Sequence, residues 1–106
     1  MSSVKHALKA VIYDKRGRVL SVGENSYTKT HRVQAEYAER AGTPHKIYLH
    51  AEAAAILKCR DLSKAHRIFV SRTNKRGDFL LAKPCPACEL MIKESGIKVV
   101  EWSVGE

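Results

Sequence analysis

The side chains best suited to chemistry in this sequence are one histidine, one glutamate and two cysteines. His50 and Glu52 are separated by a single residue, whereas Cys85 and Cys88 form a C-x-x-C pair. Residues three apart at a helix start share a face, so both sulfurs can reach one ion. The backbone N–H groups and the dipole of a helix N-terminus favour the thiolate form, which is the form that binds metals.

A histidine and two cysteines are a suitable ligand set for zinc. Three protein ligands leave the fourth tetrahedral position open for water, as in catalytic zinc sites. Zinc lowers the pKa of such a water toward about 7, which makes hydroxide available near neutral pH. We therefore predict that His50, Cys85 and Cys88 bind Zn²⁺. A purely structural zinc site would need a fourth protein ligand, and the sequence shows none.

Glu52 has the properties of a proton carrier beside that site. Such a group must lie next to the water without occupying the metal. Two residues rotate by about 200° in a regular helix, so His50 and Glu52 converge only if they lie at a helix end. This role of Glu52 therefore requires that both residues lie at the start of their helix.

The elements that must position these residues follow from patterning and turn signals. Apolar, partly β-branched runs predict strands, and strong helix formers that end near Gly42 and Gly96 predict helices. The predicted strands are Ala7–Asp14, Val19–Val22, Arg67–Thr73 and Ile97–Val104, with a short extended segment at Phe79–Ala82. The predicted helices are Val33–Ala41, Leu49–Leu57 and Pro86–Glu94. This order indicates an α/β fold with one mixed sheet flanked by helices.

The motifs His50-Ala51-Glu52 and Pro84-Cys85-Pro86-Ala87-Cys88 together resemble those of the zinc-dependent cytidine and deoxycytidylate deaminase superfamily. The resemblance covers most of the chain. It implies a minimal version of the family's three-layer fold, with a zinc-bound water attacking the base. By resemblance, Glu52 is the catalytic proton shuttle, Asn25 in Gly23-Glu24-Asn25 contacts the substrate, and Ala51 lines the pocket.

The resemblance leaves the substrate open. Free cytidine deaminases usually begin the first motif with Cys, whereas this chain has His50. We expect hydrolytic deamination of cytosine to uracil in a nucleoside or nucleotide resembling CMP or dCMP, with release of ammonia. Cytosine in single-stranded DNA or RNA is the main enzymatic alternative. A non-catalytic, zinc-stabilised nucleic-acid-binding module is the alternative from another class. A thioredoxin-like redox pair would leave His50 and Glu52 unused.

Length and composition limit the remaining choices. The 106 residues predict one catalytic domain over residues 1–106, and 44% hydrophobic residues is typical of a globular chain. No apolar run reaches the roughly 18 residues of a membrane span, so we expect a cytoplasmic protein with no membrane partner. The net charge of +8 favours phosphate-bearing partners, a nucleotide or nucleic acid. Because a small fold leaves one sheet face exposed, we also expect a homo-oligomer.

Overall fold

The structure, a computed structural model, describes residues 7–26, 30–42 and 49–105. Its strands are β1 (Ala7–Tyr13), β2 (Val19–Glu24), β3 (Arg67–Thr73), β4 (Phe79–Leu80) and β5 (Val99–Trp102). Its α-helices are α1 (Arg32–Arg40), α2 (Ala51–Lys58) and α3 (Pro86–Glu94), and a 3₁₀ turn covers Leu62–Lys64.

The five strands form one open, mixed sheet. Strand β1 lies between β2 and β3 and pairs antiparallel with both. The far edge of β3 is shared: its first half pairs parallel with β5, and its last two residues pair antiparallel with β4. Ser103 joins these three strands, because its hydroxyl donates to the Leu80 carbonyl and accepts from the Arg72 N–H. The expected α/β fold with one mixed sheet and flanking helices is thereby confirmed.

The buried core lies between one face of this sheet and the helices. Alternate residues of a strand point to opposite faces. Ala10 and Ile12 of β1 are therefore on the same side as Ile68 and Val70 of β3, and all four are fully buried. They pack in one cluster with alanines of α2 and with Met91 of α3. The sheet thus supports the two helices that carry the candidate metal ligands.

Helix α2 lies unusually close to β2 because the contact is made by very small residues. A Cβ atom added at Gly23 would lie 2.2 Å from the backbone nitrogen of Ala55 and 2.4 Å from the carbonyl oxygen of Ala51. Such separations are far below van der Waals contact, so only glycine is compatible with this helix position. The absence of a side chain at Gly23 therefore sets the distance between the first turn of α2 and the sheet.

The predicted elements agree closely with the structure, and the differences lie at their ends. Strand β3 and helix α3 have the predicted bounds. The last strand is shorter than predicted, because Ser103 leaves the β5 ladder to bond β3 and β4. Helix α2 begins at Ala51 and not at Leu49, because His50 has extended backbone angles and is the N-cap.

Because of the close contact at Gly23, we predict that one added methyl group strongly lowers the stability of the fold. We expect Gly23→Ala to lower the free energy of unfolding by about 3 kcal/mol, because backbone atoms of α2 must move. Gly17→Ala is the control: Gly17 has a φ of +84° but open space around it, so its cost is only about 1–2 kcal/mol of backbone strain. Urea denaturation measures both, and an equal or smaller loss at Gly23 would contradict the packing argument.

Candidate metal centre and active site

Two helix N-termini meet at one end of the sheet and carry the predicted ligands. His50 is the N-cap of α2, and Cys85 is the N-cap of α3. Cys88 lies in the first turn of α3, three residues after Cys85. The His50 side chain makes no capping hydrogen bond to its own helix. The side chains of His50 and Cys85 are directed toward a common point near Cys88.

The ligand atoms of His50, Cys85 and Cys88 all lie within 4.8 Å of one another. The Nδ1 atom of His50 is 3.3 Å from the Cys88 sulfur and 3.4 Å from the Cys85 sulfur. Tetrahedral zinc with ordinary bond lengths would separate such nitrogen and sulfur atoms by about 3.6 Å. The donor set and its spacing therefore fit Zn²⁺, which confirms the predicted cofactor.

The pKa values of the two thiols are shifted in opposite directions. A hydrogen bond from Cys88, with further help from His50, lowers the pKa of Cys85 to about 4 against the opposing effect of burial. The same hydrogen bond to Cys85, together with burial, raises the pKa of Cys88 above its usual range. The pair thus shares one proton with the negative charge on Cys85. A thiolate already held at a helix N-terminus is suited to bind a soft or borderline metal ion.

Glu52 lies beside the same cluster, in the first turn of α2. Only 3% of its surface is exposed, and burial raises the pKa of its carboxyl group above the ordinary value. A hydrogen bond with Cys88 and the charge of His50 act in the opposite direction. Since His50 is the N-cap, the two side chains converge as the sequence spacing required. A buried carboxyl group next to a metal site is suited to both accept and donate a proton.

Gln34 of α1 supports the metal site, and the sequence analysis did not identify it. Its side chain is fully buried, and its Oε1 atom accepts a hydrogen bond of 3.3 Å from the backbone N–H of His50. The bond fixes the backbone that carries the histidine ligand. Gln34 shares a helix face with buried Ala38, four residues later. A polar residue on that face was the signal in the sequence.

The structure places the two predicted substrate contacts in different surroundings. Ala51 is fully buried in the first turn of α2, between His50 and Glu52. Asn25 uses its Oδ1 atom to accept a hydrogen bond of 3.0 Å from the Leu8 N–H. The next residue, Ser26, donates to the carbonyl oxygen of Leu49. Asn25 thus bonds the start of β1, whereas Ser26 bonds the segment before α2. Contact between Asn25 and the substrate stays a prediction.

Two other candidate side chains are separate from the cluster. Cys59 is the C-cap of α2, at the opposite end of the helix from His50. His31 is the N-cap of α1, where its Nδ1 atom accepts from the Val33 N–H at 3.0 Å. Among the residues that the structure describes, His50, Cys85 and Cys88 are the one group suited to hold a metal ion.

The comparisons with known proteins agree with this geometry. The family described as the cytidine and deoxycytidylate deaminase zinc-binding region matches residues 3–104. The comparison with curated proteins found no match. None of the helices in the described part of the chain has the length and apolar character that a bilayer crossing requires.

Because Gln34 bonds the backbone of His50, we predict that a substitution at this position of α1 changes the affinity for the metal. We expect Gln34→Met to weaken zinc binding roughly tenfold, because the backbone of a metal ligand loses its support. Competition with a chromophoric chelator measures the affinity. Ser21→Ala is the matched control, since the buried Ser21 hydroxyl donates 2.7 Å to the Ala55 carbonyl, farther along α2. The control should lower stability but keep the zinc affinity, and equal losses of affinity would contradict a specific role for Gln34.

Proposed function

Since the chain belongs to the cytidine and deoxycytidylate deaminase family, we propose that it hydrolyses the exocyclic amine of a cytosine nucleotide resembling CMP or dCMP. Water and the base would yield uracil and ammonia. The observation that carries this proposal is the buried Glu52 carboxyl group beside the three-residue ligand cluster. A structural metal site has no need of a buried carboxyl group with a raised pKa that is not one of the ligands.

Glu52 is proposed to move the protons of the reaction. When bound, zinc supplies a Lewis acid that makes hydroxide available near neutral pH. The Glu52 carboxylate takes one proton from the attacking water and transfers it to N3 of the ring. Glu52 next takes the proton of the hydroxyl group now on C4 and passes it to the amine. The C4–N bond then breaks, ammonia leaves and the C4 carbonyl forms. Burial suits this role because it brings the proton affinity of the carboxyl group closer to neutrality.

Other residues near Glu52 are proposed to hold the metal ion and to position the substrate. His50, Cys85 and Cys88 would bind the metal through one nitrogen and two sulfurs, which leaves the fourth position for water. Ala51 is proposed to line the pocket, because its single methyl group leaves room beside Glu52. Asn25 is proposed to reach the substrate through its amide nitrogen, since its oxygen is bonded to Leu8.

Arg72 favours a substrate that carries a phosphate. It lies near the end of β3 at which α2 and α3 begin. Because alternate residues of a strand share a face, it is on the same face of the sheet as the core residues Ile68 and Val70. Its Nε atom is buried and has no hydrogen-bond partner among the described residues. A buried guanidinium donor requires an acceptor, and a nucleotide phosphate would provide one. Lys75 and Arg76, exposed on the following turn, add positive charge at the same end.

The catalytic role of Glu52 can be separated from metal binding. We expect Glu52→Gln to keep one zinc ion per chain but to lower the deamination rate by about 10²–10⁴-fold, because the amide cannot relay the proton. Cys85→Ala should instead lose the zinc. Glu89→Gln is the control, since Glu89 is the exposed acid in the first turn of α3. It should keep both zinc and activity.

The substrate panel for this test contains cytidine, deoxycytidine, their monophosphates, single-stranded DNA and RNA, adenosine and guanine. Ammonia release and the mass change of the base are measured for each, together with metal content. Faster turnover of the monophosphates than of the nucleosides is the expected result. Turnover of the single strands alone would favour the polynucleotide alternative. A zinc-loaded wild-type protein that is inactive on the whole panel would refute the enzyme and favour a binding module.

A homo-oligomer is proposed on the basis of the sheet face that points away from the core. Val22, Val11 and Phe69 are neighbours across β2, β1 and β3 on that face, and Val22 is 39% exposed. A second copy could cover this apolar row. We expect light scattering at micromolar concentration to report at least a dimer, and Val11→Lys to shift it toward monomer. A wild-type monomer would contradict the proposal. A cytoplasmic location stays a prediction.

A further inference from the structure

A broad basic groove lies at the end of the sheet opposite the metal centre. It encloses about 690 Å³ and is formed by the β1–β2 turn, the 3₁₀ turn, the start of β3 and the turn between α3 and β5. Six basic side chains from these segments line it: Lys15, Arg16, Arg18, Lys64, His66 and Lys98. The proposed deamination uses none of them.

The groove is too far from the metal centre to be a subsite of it. Ser95 and Gly96, which line the groove, follow the last turn of α3, whereas Cys85 precedes its first turn. The nine residues of α3 span about 14 Å. A mononucleotide whose base lies at the ligand cluster therefore cannot place its phosphate in the groove.

The charges of the groove are available to a ligand. Asp14 is the acidic residue of the lining, and it is already bonded by the Nε of Arg18 at 3.0 Å. Within the described part of the chain, no ion pair is recorded for Lys15, Arg16, Lys64 or Lys98, and all four side chains are exposed. Lys64 has one acidic neighbour outside the lining, Asp61. Several exposed cations around one concave surface nevertheless attract a polyanion strongly.

We propose that this groove binds the phosphate backbone of nucleic acid without reading its sequence. Apart from the His66 imidazole, the described lining contains no aromatic side chain on which a base could stack. Its apolar side chains, Leu62 and Ala65, are partly or fully buried, so they cannot insert into a membrane. The cations come from three separate segments of an open surface, which suits a line of phosphates better than a single anion.

This proposal is independent of catalysis at the metal centre. The groove binds the polymer through charge, so the affinity follows charge density and not base identity. A duplex carries about twice the charge per length of a single strand. Duplex DNA therefore binds more tightly than a single strand of the same length, and the affinity falls steeply with salt. Free nucleoside monophosphates compete poorly because each engages only one cation.

The test compares two triple variants that remove the same charge from opposite ends of the sheet. Arg16→Gln/Lys64→Gln/Lys98→Gln alters the groove, and Lys75→Gln/Arg76→Gln/Lys83→Gln alters exposed cations at the metal end. Each lowers the formal net charge of +8 by one Arg and two Lys. Fluorescence anisotropy with labelled duplex DNA of about 20 base pairs and mixed sequence is measured across a salt series. Zinc content and circular dichroism confirm that each variant is folded.

The expected result is a loss of roughly tenfold or more in affinity for the groove variant, with a salt slope reduced by about 2. The metal-end variant should lose much less. Equal losses in both variants, or a larger loss at the metal end, would overturn the proposal. So would equal competition by polyglutamate of matched charge, because the groove would then not distinguish phosphates. If the triple groove variant does not fold, the single variants Lys64→Gln and Lys98→Gln answer the same question against Lys75→Gln.

Discussion

The close contact between α2 and β2 is the constraint on which the metal centre depends. Gly23 and the alanines of α2 allow the helix backbone to approach the strand within a distance that no side chain at Gly23 would permit. This contact sets the position of the first turn of α2, and with it the position of His50 and Glu52. Helix α3 supplies Cys85 and Cys88 from the neighbouring N-terminus. A shift of α2 by even one ångström would separate a nitrogen and two sulfurs that must share one ion.

The same site has a cost in stability. Glu52 is a buried carboxyl group, and Cys85 is a thiolate at the edge of a core built largely from alanine, valine and isoleucine. Buried charges destabilise a fold unless they are paired, hydrogen-bonded or bound to a metal. The helix N-termini offset part of this cost through their dipoles, and the Glu52 carboxyl group also accepts a hydrogen bond from its own backbone N–H. Metal binding would offset the rest of this cost, because an ion that binds only the folded site stabilises the folded state.

Most of the fold and the ligand set could be predicted from local sequence signals. Pro86 and Gly96 mark the two ends of α3, so its bounds follow from the chain alone. The C-x-x-C pair and the H-x-E motif together indicate the metal, because a redox role for the cysteine pair would leave His50 and Glu52 unused. These signals are local, and each depends on residues within a few positions of one another.

Features that depend on distant parts of the chain could not be predicted in this way. Gln34 is sixteen residues before His50, and nothing in its own helix marks it as the acceptor for that N–H. Ser103 ended β5 early because its hydroxyl and backbone serve two other strands. Gly23 appeared as one residue of a possible substrate motif, whereas the structure shows that it also makes room for α2. In each case tertiary packing decides the role of the residue.

The direction of the helices explains why the two ends of the sheet differ chemically. Helices α2 and α3 both begin at the metal end, so that end carries their exposed N–H groups and the positive ends of their dipoles. The anionic form of Cys85 is favoured there, whereas burial raises the pKa of the Glu52 carboxyl group and the bond to Cys85 raises that of Cys88. The opposite end carries helix C-termini, whose partial negative charge favours nearby cations. Lys64 and Lys98 follow the ends of α2 and α3 along the chain. The fold thus places the candidate metal centre and a cationic groove at opposite ends of α2 and α3, where occupation of one leaves the other accessible.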